Sequence, residues 1–251
     1  MNKYLRNLNR IEVIKTNACT GRCKHCSQGD HINSLQSVKS DTVVKAVEDI
    51  VSAYSINSLM TFGGEPLLFA DTVCDIQECA ARLGIPKRQI ITNGFFSKDK
   101  NVIEAVAENV VKSGANDILL SVDVFHQETI PIEYIKIFAE CVKNNGGNIR
   151  LQPAWLVSVN DENPFNVKTK ALLDEFSYLD ITVGSGNVIF PEGNALIYLK
   201  EYFKNENKIE NPYKDDPCDL TSVSIEPDGK MLEKCLYKYS ALDILEAYTP
   251  S

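Results

Sequence analysis

Three cysteines lie within eight residues near the start of the chain, in the stretch NACTGRCKHCSQ, with the spacing Cys-x3-Cys-x2-Cys: Cys19, Cys23 and Cys26. Thiolates at such short spacing bind zinc or an iron–sulfur cluster. Zinc sites usually combine Cys-x2-Cys pairs with a second pair or with two histidines, and only His25 and His31 lie nearby. Three thiolates on a four-iron cluster would instead leave one iron open, and an open coordination position is how a metal site binds substrate.

The composition is that of an ordinary soluble globular chain: 251 residues, 44% hydrophobic and 24% charged. A net charge of −8 argues against a protein that binds duplex nucleic acid. The sequence contains no run of 18 apolar residues, so no membrane-spanning helix is predicted. The first residues lack the apolar core of a signal peptide. We therefore expect a cytoplasmic protein, in which eight cysteines indicate metal chemistry and buried thiols and not disulfides.

Short runs rich in Val, Ile and Leu alternate with longer helical patterns along most of the chain. The predicted strands are 11–16, 58–62, 89–93, 117–123, 148–156 and 180–189, and the predicted helices are 41–54, 70–84, 101–114, 132–147 and 167–178. The alternation predicts a parallel sheet, either open and doubly wound or closed into a partial β/α barrel. Both place the chemistry at the carboxyl ends of the strands, where the cysteine triplet directly follows the first strand.

Polar motifs follow the later predicted strands. After the second strand, TFGGEPLL carries Gly63 and Gly64, which permit a close backbone approach to a ligand, and Glu65, whose carboxylate can bind an ammonium group. His126 follows the fourth strand and is a candidate for acid–base work. Other polar residues lie where predicted strands end and could either cap the strand or contact a ligand: Asn93, Ser121, Asp123 and Gln152.

The segment from Cys19 to Cys26 resembles the signature of the radical S-adenosylmethionine (radical SAM) superfamily, Cys-x3-Cys-x-aromatic-Cys, with His25 in the aromatic position. One strand later, residues 63–65 match the Gly-Gly-Glu motif of that family, which binds the methionine amino group. Because the two motifs follow consecutive predicted strands, they support each other more strongly than either does alone.

The resemblance implies a partial (β/α)6 TIM-like barrel over residues 1–205, with a [4Fe–4S] cluster on the three cysteines and S-adenosylmethionine on the open iron. One electron from a flavodoxin- or ferredoxin-type reductant would cleave S-adenosylmethionine into methionine and a 5′-deoxyadenosyl radical, which abstracts a hydrogen atom from substrate. The residues expected to contact the cofactor are His25, Gly63, Gly64, Glu65, Asn93, Ser121, Asp123 and Gln152, and the catalytic candidates are Asp123 and His126.

Residues 206–251 read as a linker followed by a small hairpin-plus-helix appendage. The hairpin SVSIEPDGKMLEKC, with its Pro-Asp-Gly turn, resembles the SPASM or Twitch appendage that holds an auxiliary [4Fe–4S] cluster in many radical SAM enzymes. Cys218 and Cys235 are its only cysteines, too few for a four-thiolate site, so we expect no complete second cluster unless Cys141 or another ligand assists. Three cysteines in predicted helices are interpreted as buried thiols: Cys74, Cys79 and Cys141.

The sequence leaves the substrate open. Because the predicted appendage resembles that of peptide-modifying enzymes, a peptide or protein side chain is the first expectation. A sugar or nucleoside derivative is the alternative within the same chemistry. A non-catalytic module that binds zinc or an iron–sulfur cluster is the alternative outside it, although such a module would have no use for an ammonium site at Glu65.

Overall fold

A computed structural model describes residues 2–29, 36–203 and 211–250, so His31 lies outside the described residues. The strands are β1 (Arg10–Ile14), β2 (Ser58–Phe62), β3 (Lys87–Thr92), β4 (Asp117–Ser121), β5 (Ile149–Gln152), β6 (Ala154–Trp155), β7 (Thr182–Val183), β8 (Asn187–Val188), β9 (Ser222–Ile225), β10 (Lys230–Met231) and β11 (Lys234–Cys235). The α-helices are α1 (Ser40–Ala53), α2 (Ala70–Arg82), α3 (Lys100–Lys112), α4 (Val124–Gln127), α5 (Ile132–Asn144), α6 (Pro164–Asp174), α7 (Asn194–Tyr198) and α8 (Ala241–Glu246).

Seven of the strands form one parallel sheet in the order β7-β5-β4-β3-β2-β1-β9. From β1 to β7, each successive strand of this sheet adds at the same edge, whereas a doubly wound sheet reverses its strand order at a switch point. The steady progression confirms the predicted α/β class and the partial barrel.

The crossover helices pack side by side on one face of the sheet, in contacts between α1 and α2, α2 and α3, and α3 and α5. Their buried residues recur at helical spacing, as in α1, where Val43, Ala46, Val47 and Ile50 face the core. In β1 the side chains alternate, so that Ile11 joins the core beneath these helices while its neighbours line the barrel interior. No helix within the described ranges is long and apolar enough to cross a membrane.

The prediction that residues 222–235 pair with each other as one hairpin is wrong. The first strand of this segment, β9, lies in the main sheet parallel to β1, in a register that pairs Arg10 with Ser222. The Pro-Asp-Gly turn does form, since Gly229 N donates to Glu226 O at 2.9 Å, but the short hairpin that follows it joins β10 to β11. Pairing with β1 buries Val223 and Ile225 and covers an edge that would otherwise stay unpaired. The domain boundary near residue 205 stays a prediction.

Candidate functional site

The loop that carries the cysteine triplet follows β1 and is held by the end of β2. Gly64 N donates to Thr16 O at 2.7 Å, and Glu65 N donates to Ala18 O at 2.8 Å. The backbone of the Gly-Gly-Glu segment therefore binds the start of the cysteine loop directly, and the two motifs singled out from the sequence form one structural unit.

Only glycine fits at the centre of this contact. A Cβ atom at Gly63 would lie 2.4 Å from Thr16 O, and one at Gly64 would lie 2.2 Å from Ala18 O. Gly63 also has a φ of +144°, which L side chains rarely adopt. The two glycines thus permit a close approach to the backbone of residues 15–18. This contact places the cysteine loop at the mouth of the barrel.

Gly64→Ala is expected to lower the free energy of unfolding by more than about 3 kcal/mol, because the new Cβ must push apart two hydrogen-bonded backbone segments. Thermal unfolding and iron content per chain check this expectation. Gly84→Ala is the matched control: its φ of +74° costs about 1–2 kcal/mol, but a Cβ there meets nothing within 4 Å. Normal iron content in folded Gly64→Ala protein would contradict the proposed coupling of the two segments.

The three thiols line one cavity, with Cys23 buried and Cys19 and Cys26 partly buried. Burial raises the pKa of Cys19 to about 11 and also raises the pKa of Cys26. N–H groups point at the Cys19 sulfur, from Gly21 N at 3.3 Å and from Asn93 Nδ2 at 3.5 Å. A bound metal displaces the thiol protons, and these donors then stabilise the thiolate. The donor set therefore fits an iron–sulfur cluster.

Two histidines lie beside Cys23. Its sulfur and one ring nitrogen each of His25 and His126 lie within 4.8 Å of one another. Within the described ranges, this is the one group of three or more His, Cys, Asp or Glu side chains close enough to share a metal ion. The His25 and His126 rings are 4.9 Å apart between centroids. Burial lowers the pKa of His25 to about 4, so its ring is neutral near pH 7. One thiol and two imidazoles are also ligands that zinc accepts, so metal analysis of the protein distinguishes zinc from iron at this position.

The carboxylate of Glu65 is completely buried and is engaged by the chain itself. It accepts hydrogen bonds from Leu67 N at 2.9 Å, Thr92 Oγ1 at 2.7 Å and Asn93 N at 2.8 Å. Burial raises the pKa of Glu65 to about 7, although these hydrogen bonds oppose the shift. The side chain therefore joins the end of β2 to the end of β3, while the two preceding glycines line the cavity.

Asp123 is likewise buried and engaged. Its oxygens accept from Phe125 N and His126 N at 3.0 Å and from Ala154 N at 3.1 Å, so it caps α4 and ties β4 to β6. Burial disfavours ionisation of Asp123, but the charge and hydrogen bond of His126 outweigh burial and lower the pKa to about 2. The ionised carboxylate of Asp123 therefore lies against Nδ1 of His126, and its other hydrogen bonds are accepted from backbone N–H groups.

The other predicted cofactor contacts lie at the carboxyl edge of the sheet and line the same cavity. Asn93 binds the cysteine loop, since its Nδ2 also donates to Thr20 Oγ1 at 3.1 Å. Gln152 accepts from Arg150 Nη1 at 2.7 Å. Ser121 ends β4. The barrel brings these side chains and the cysteines to one place, and their cofactor contacts remain predictions.

Sequence reasoning missed a pair of residues at the start of α7 that hold the cysteine loop from the opposite side. Asn194 N donates to Cys26 O at 2.8 Å, and Asn194 Nδ2 donates to Cys23 O at 3.2 Å. A Cβ at Gly193 would lie 2.5 Å from Cys26 O. No local signal marks these residues, which lie 171 positions from the loop, because an Asn after a Gly reads as an ordinary turn.

Asn194→Ala is expected to lower the free energy of unfolding by about 1 kcal/mol, the usual value of one hydrogen bond, and to speed loss of iron from the loaded protein. Chemical unfolding and timed release of iron to a chelator measure the two effects. Asn148→Ala is a matched control, since Asn148 Nδ2 also donates to a backbone carbonyl, that of Asn116 at 2.9 Å, but at an exposed position. Equal iron release from both variants would refute the role of Asn194.

The cavity has a volume of about 590 Å³ and runs from the cysteine loop along the barrel interior to the amino ends of the strands. In a closed TIM barrel this space is filled by packed apolar side chains. Here the wall carries the ion pair Arg10–Glu12 at 2.7 Å and the side chain of Arg150, which pairs with Asp117 at 2.8 Å. This part of the wall includes six charged and amide side chains: Arg10, Glu12, Lys87, Gln89, Arg150 and Gln152.

The tail cysteines lie apart from this site. Cys218 is exposed, Cys235 is partly buried at the end of β11, and Cys141 is partly buried on α5. Within residues 2–29, 36–203 and 211–250, none of them belongs to a group of three or more potential metal ligands. The absence of a complete second cluster stays a prediction.

Comparison with known proteins gives consistent matches. The family profile described as the Radical SAM superfamily matches residues 13–146. The GTP 3′,8-cyclase of Alkaliphilus oremlandii is 23% identical over 286 aligned positions, which cover 97% of this chain and 86% of that protein. The GTP 3′,8-cyclase of Moorella thermoacetica is 22% identical over 127 residues, half of this chain. This second match covers only 38% of the cyclase, and other curated relatives are covered to a similar or smaller extent.

Solved structures share the fold across nearly the whole chain. Streptococcus suis SuiB bound to S-adenosylmethionine superposes with a TM-score of 0.63 at 12% identity, covering 98% of this chain and 67% of SuiB. BtrN in complex with S-adenosylmethionine and 2-DOIA gives 0.52 at 13% identity, covering 94% and 81%. The enzyme anSMEcpe with bound S-adenosylmethionine gives 0.54 at 15% identity, covering 92% and 75%. At these identities the likeness establishes the fold.

Proposed function

Because the chain belongs to the radical SAM superfamily, we propose that it is an enzyme that binds a [4Fe–4S] cluster through Cys19, Cys23 and Cys26 and S-adenosylmethionine at the fourth iron. The observation that carries the proposal is the convergence of the three cysteines at the mouth of a cavity whose wall includes charged and amide side chains, held there by the Gly-Gly-Glu segment. A non-catalytic metal module would not need a cavity of about 590 Å³ beside its metal.

The cavity also presents groups that suit a bound cosubstrate. His25 Nδ1 is buried at the cavity wall without a hydrogen-bond partner, and a buried polar atom of this kind costs free energy unless a ligand satisfies it. Ser121 and Gln152 contribute further polar groups at the ends of β4 and β5. The carboxylate of Glu65 supports this arrangement from behind by fixing the ends of β2 and β3.

Cys19, Cys23 and Cys26 would hold the cluster, which when bound and reduced would supply the one-electron chemistry that cleaves S-adenosylmethionine to methionine and a 5′-deoxyadenosyl radical able to take a hydrogen atom from substrate. The chain itself positions the thiolates, orients the cosubstrate and excludes water from the barrel interior. We propose a flavodoxin- or ferredoxin-type protein as the electron donor and the cytoplasm as the setting, since both the cluster and its thiolates need reducing conditions.

For the substrate we propose a small polar molecule that hydrogen-bonds within the barrel. The charged wall around Arg10, Lys87 and Arg150 suits such a ligand, because buried polar groups must be matched by polar groups of the ligand. The expectation of a peptide substrate was based on the resemblance of the hairpin-plus-helix appendage, of which β9 lies in the main sheet while the turn, the β10–β11 hairpin and α8 are present. Peptide modification remains an outcome that experiment can return.

The test is anaerobic. The protein is reconstituted with iron and sulfide, reduced with dithionite and given S-adenosylmethionine, and 5′-deoxyadenosine is assayed while iron and zinc are counted. About four irons per chain with 5′-deoxyadenosine formation is the expected result. Zinc binding without 5′-deoxyadenosine would overturn the proposal in favour of a binding module. The substrate class then follows from whether peptides or polar small molecules accelerate 5′-deoxyadenosine formation.

A further inference from the structure

We propose that the end of the cavity away from the cysteines binds the hydroxyl groups of a neutral polyhydroxylated substrate, such as a sugar, and that Gln89 accepts a hydrogen bond from it. The inference rests on the proposed function and deepens it, since it names the class of the small polar molecule. It also assigns a substrate contact to Gln89, a residue that the sequence analysis did not single out.

Glu12, Gln89 and Asp117 form a polar layer across the inner face of the sheet. In the sheet register Glu12 and Gln89 each pair with Met60, and Gln89 also pairs with Asp117. Residues two apart face the same side of a strand, and two positions further along the same strands an apolar layer lines the cavity: Ile14, Phe62, Ile91 and Leu119. The apolar layer lies about 7 Å nearer the cysteine loop, so the polar layer is a separate site.

The carboxylate of Asp117 fixes the orientation of the Gln89 amide. Gln89 Nε2 donates to Asp117 Oδ2 at 2.7 Å, and the reverse orientation would bring two acceptors together. The amide oxygen of Gln89 therefore points away from Asp117, and within residues 2–29, 36–203 and 211–250 it is buried without a hydrogen-bond partner. Since Gln89 is only 2% exposed and lines the cavity, a ligand in the cavity is the group that can donate to this oxygen.

Arg10 offers the complementary group at the same layer. Its Nε donates to Glu12 Oε1 at 2.7 Å, while its Nη2 donates to the sulfur of Met60 at 3.2 Å. A thioether sulfur is a weak acceptor, so an oxygen of the ligand can replace it. The layer therefore fits a ligand that both donates and accepts hydrogen bonds, and a hydroxyl group does both.

The charges of this part of the wall argue against an ionic ligand. Arg10 is paired with Glu12, and Arg150 and Lys87 share Asp117 at 2.8 and 3.7 Å. An anionic ligand would compete with these carboxylates for each cation, and a cationic ligand would lie beside three cations. A neutral polyhydroxylated molecule meets neither cost, and the apolar layer suits the C–H bonds of its carbon skeleton.

The experiment measures 5′-deoxyadenosine formed by the reconstituted, reduced holoenzyme with S-adenosylmethionine. The probe is a small-molecule extract of source cells that lack the gene, in which unused substrate accumulates, separated by ion exchange into neutral, anionic and cationic pools. We expect the neutral pool alone to accelerate 5′-deoxyadenosine formation. Periodate cleaves the bond between carbons that carry neighbouring hydroxyl groups, so treating the neutral pool with periodate, and then removing the excess, should abolish the acceleration.

Gln89→Leu keeps the size of the side chain and removes the amide. We expect it to need about fivefold more of the neutral pool for half-maximal acceleration, as for loss of one hydrogen bond. Gln77→Leu is the matched control and should need the wild-type amount, because Gln77 is equally buried but lies on α2, outside the residues that line the cavity. Circular dichroism and iron content establish that each variant is folded and loaded; the test of the three pools on the wild type is independent of both.

Acceleration by the anionic or cationic pool, or by none of the three, would overturn the inference. Acceleration by the neutral pool that survives periodate would also overturn it, and equal effects of Gln89→Leu and Gln77→Leu would remove Gln89 from the site. Failure of the proposed function gives a different result, because the wild-type protein would then bind no cluster and form no 5′-deoxyadenosine with or without a pool.

Discussion

Replacing Cys23 with alanine is expected to abolish both the cluster and the formation of 5′-deoxyadenosine. Loss of one thiolate leaves two, which cannot hold a cluster against its dissociation, and even changes to groups behind metal ligands cost 10–100-fold in affinity or activity. We therefore expect activity to fall by more than about 100-fold. Iron content, the visible absorption of the cluster and the 5′-deoxyadenosine assay measure the effect under anaerobic conditions.

Cys79→Ala is the matched control for this prediction. Cys79 is buried on α2 in the core between the helices and the sheet, and Arg82 contacts its sulfur at 3.5 Å. Its removal deletes a small apolar group and should cost about 1 kcal/mol of stability while leaving iron content unchanged. Equal loss of iron in Cys23→Ala and Cys79→Ala would contradict the assignment of the triplet as the cluster site.

Glu65→Gln is expected to impair S-adenosylmethionine cleavage at least tenfold and to destabilise the protein by about 1–3 kcal/mol, the cost of leaving a buried donor unpaired. The glutamine oxygen can still accept from Leu67 N and Thr92 Oγ1. Its amide nitrogen then faces Asn93 N, so that two donors meet where the carboxylate accepted a hydrogen bond. The hydrogen bond that links the end of β2 to the end of β3 is lost next to the backbone contact between Glu65 and the cysteine loop. Chemical unfolding and the 5′-deoxyadenosine assay measure the two effects.

The same variant should change how the stability of the metal-free protein depends on pH. Burial raises the pKa of Glu65 from 4.5 to about 7, so between these values the folded state binds more protons than the unfolded state. The contribution of Glu65 to stability is therefore fully present below pH 4.5 and is lost as pH rises through about 7. His25, whose pKa is lowered to about 4, contributes the opposite trend between pH 4 and 6.5.

Because these two trends oppose each other, only the difference between wild type and Glu65→Gln isolates the carboxyl group. The stability advantage of the wild type over the variant should shrink as pH rises from 5 to 7.5. Glu108→Gln, which alters an exposed side chain paired with Lys112, is the control and should show no such change with pH. A difference that stays constant or grows with pH would show that Glu65 is ionised in the folded protein at pH 5.

The sequence by itself determined the family and much of the fold. The triplet of Cys19, Cys23 and Cys26 and the segment 63–65 are short contiguous motifs, and the family match over residues 13–146 confirms the resemblance that they carry. The parallel sheet also followed from the sequence, because buried strands and amphipathic helices impose local periodicities of 2 and 3.6 residues on the chain. These features depend on neighbours in the sequence, and so they can be read without coordinates.

Only the tertiary structure decided what the polar residues contact. Glu65 and Asp123 read as free carboxylates, yet each is buried and accepts hydrogen bonds from donors on other elements. Asn194 meets the cysteine loop across 171 positions, and β9 pairs with β1 across more than 200. Hydrogen-bond capacity is a property of a side chain, but the partner that uses it depends on which segments the fold brings together, and local periodicity carries no information about that choice.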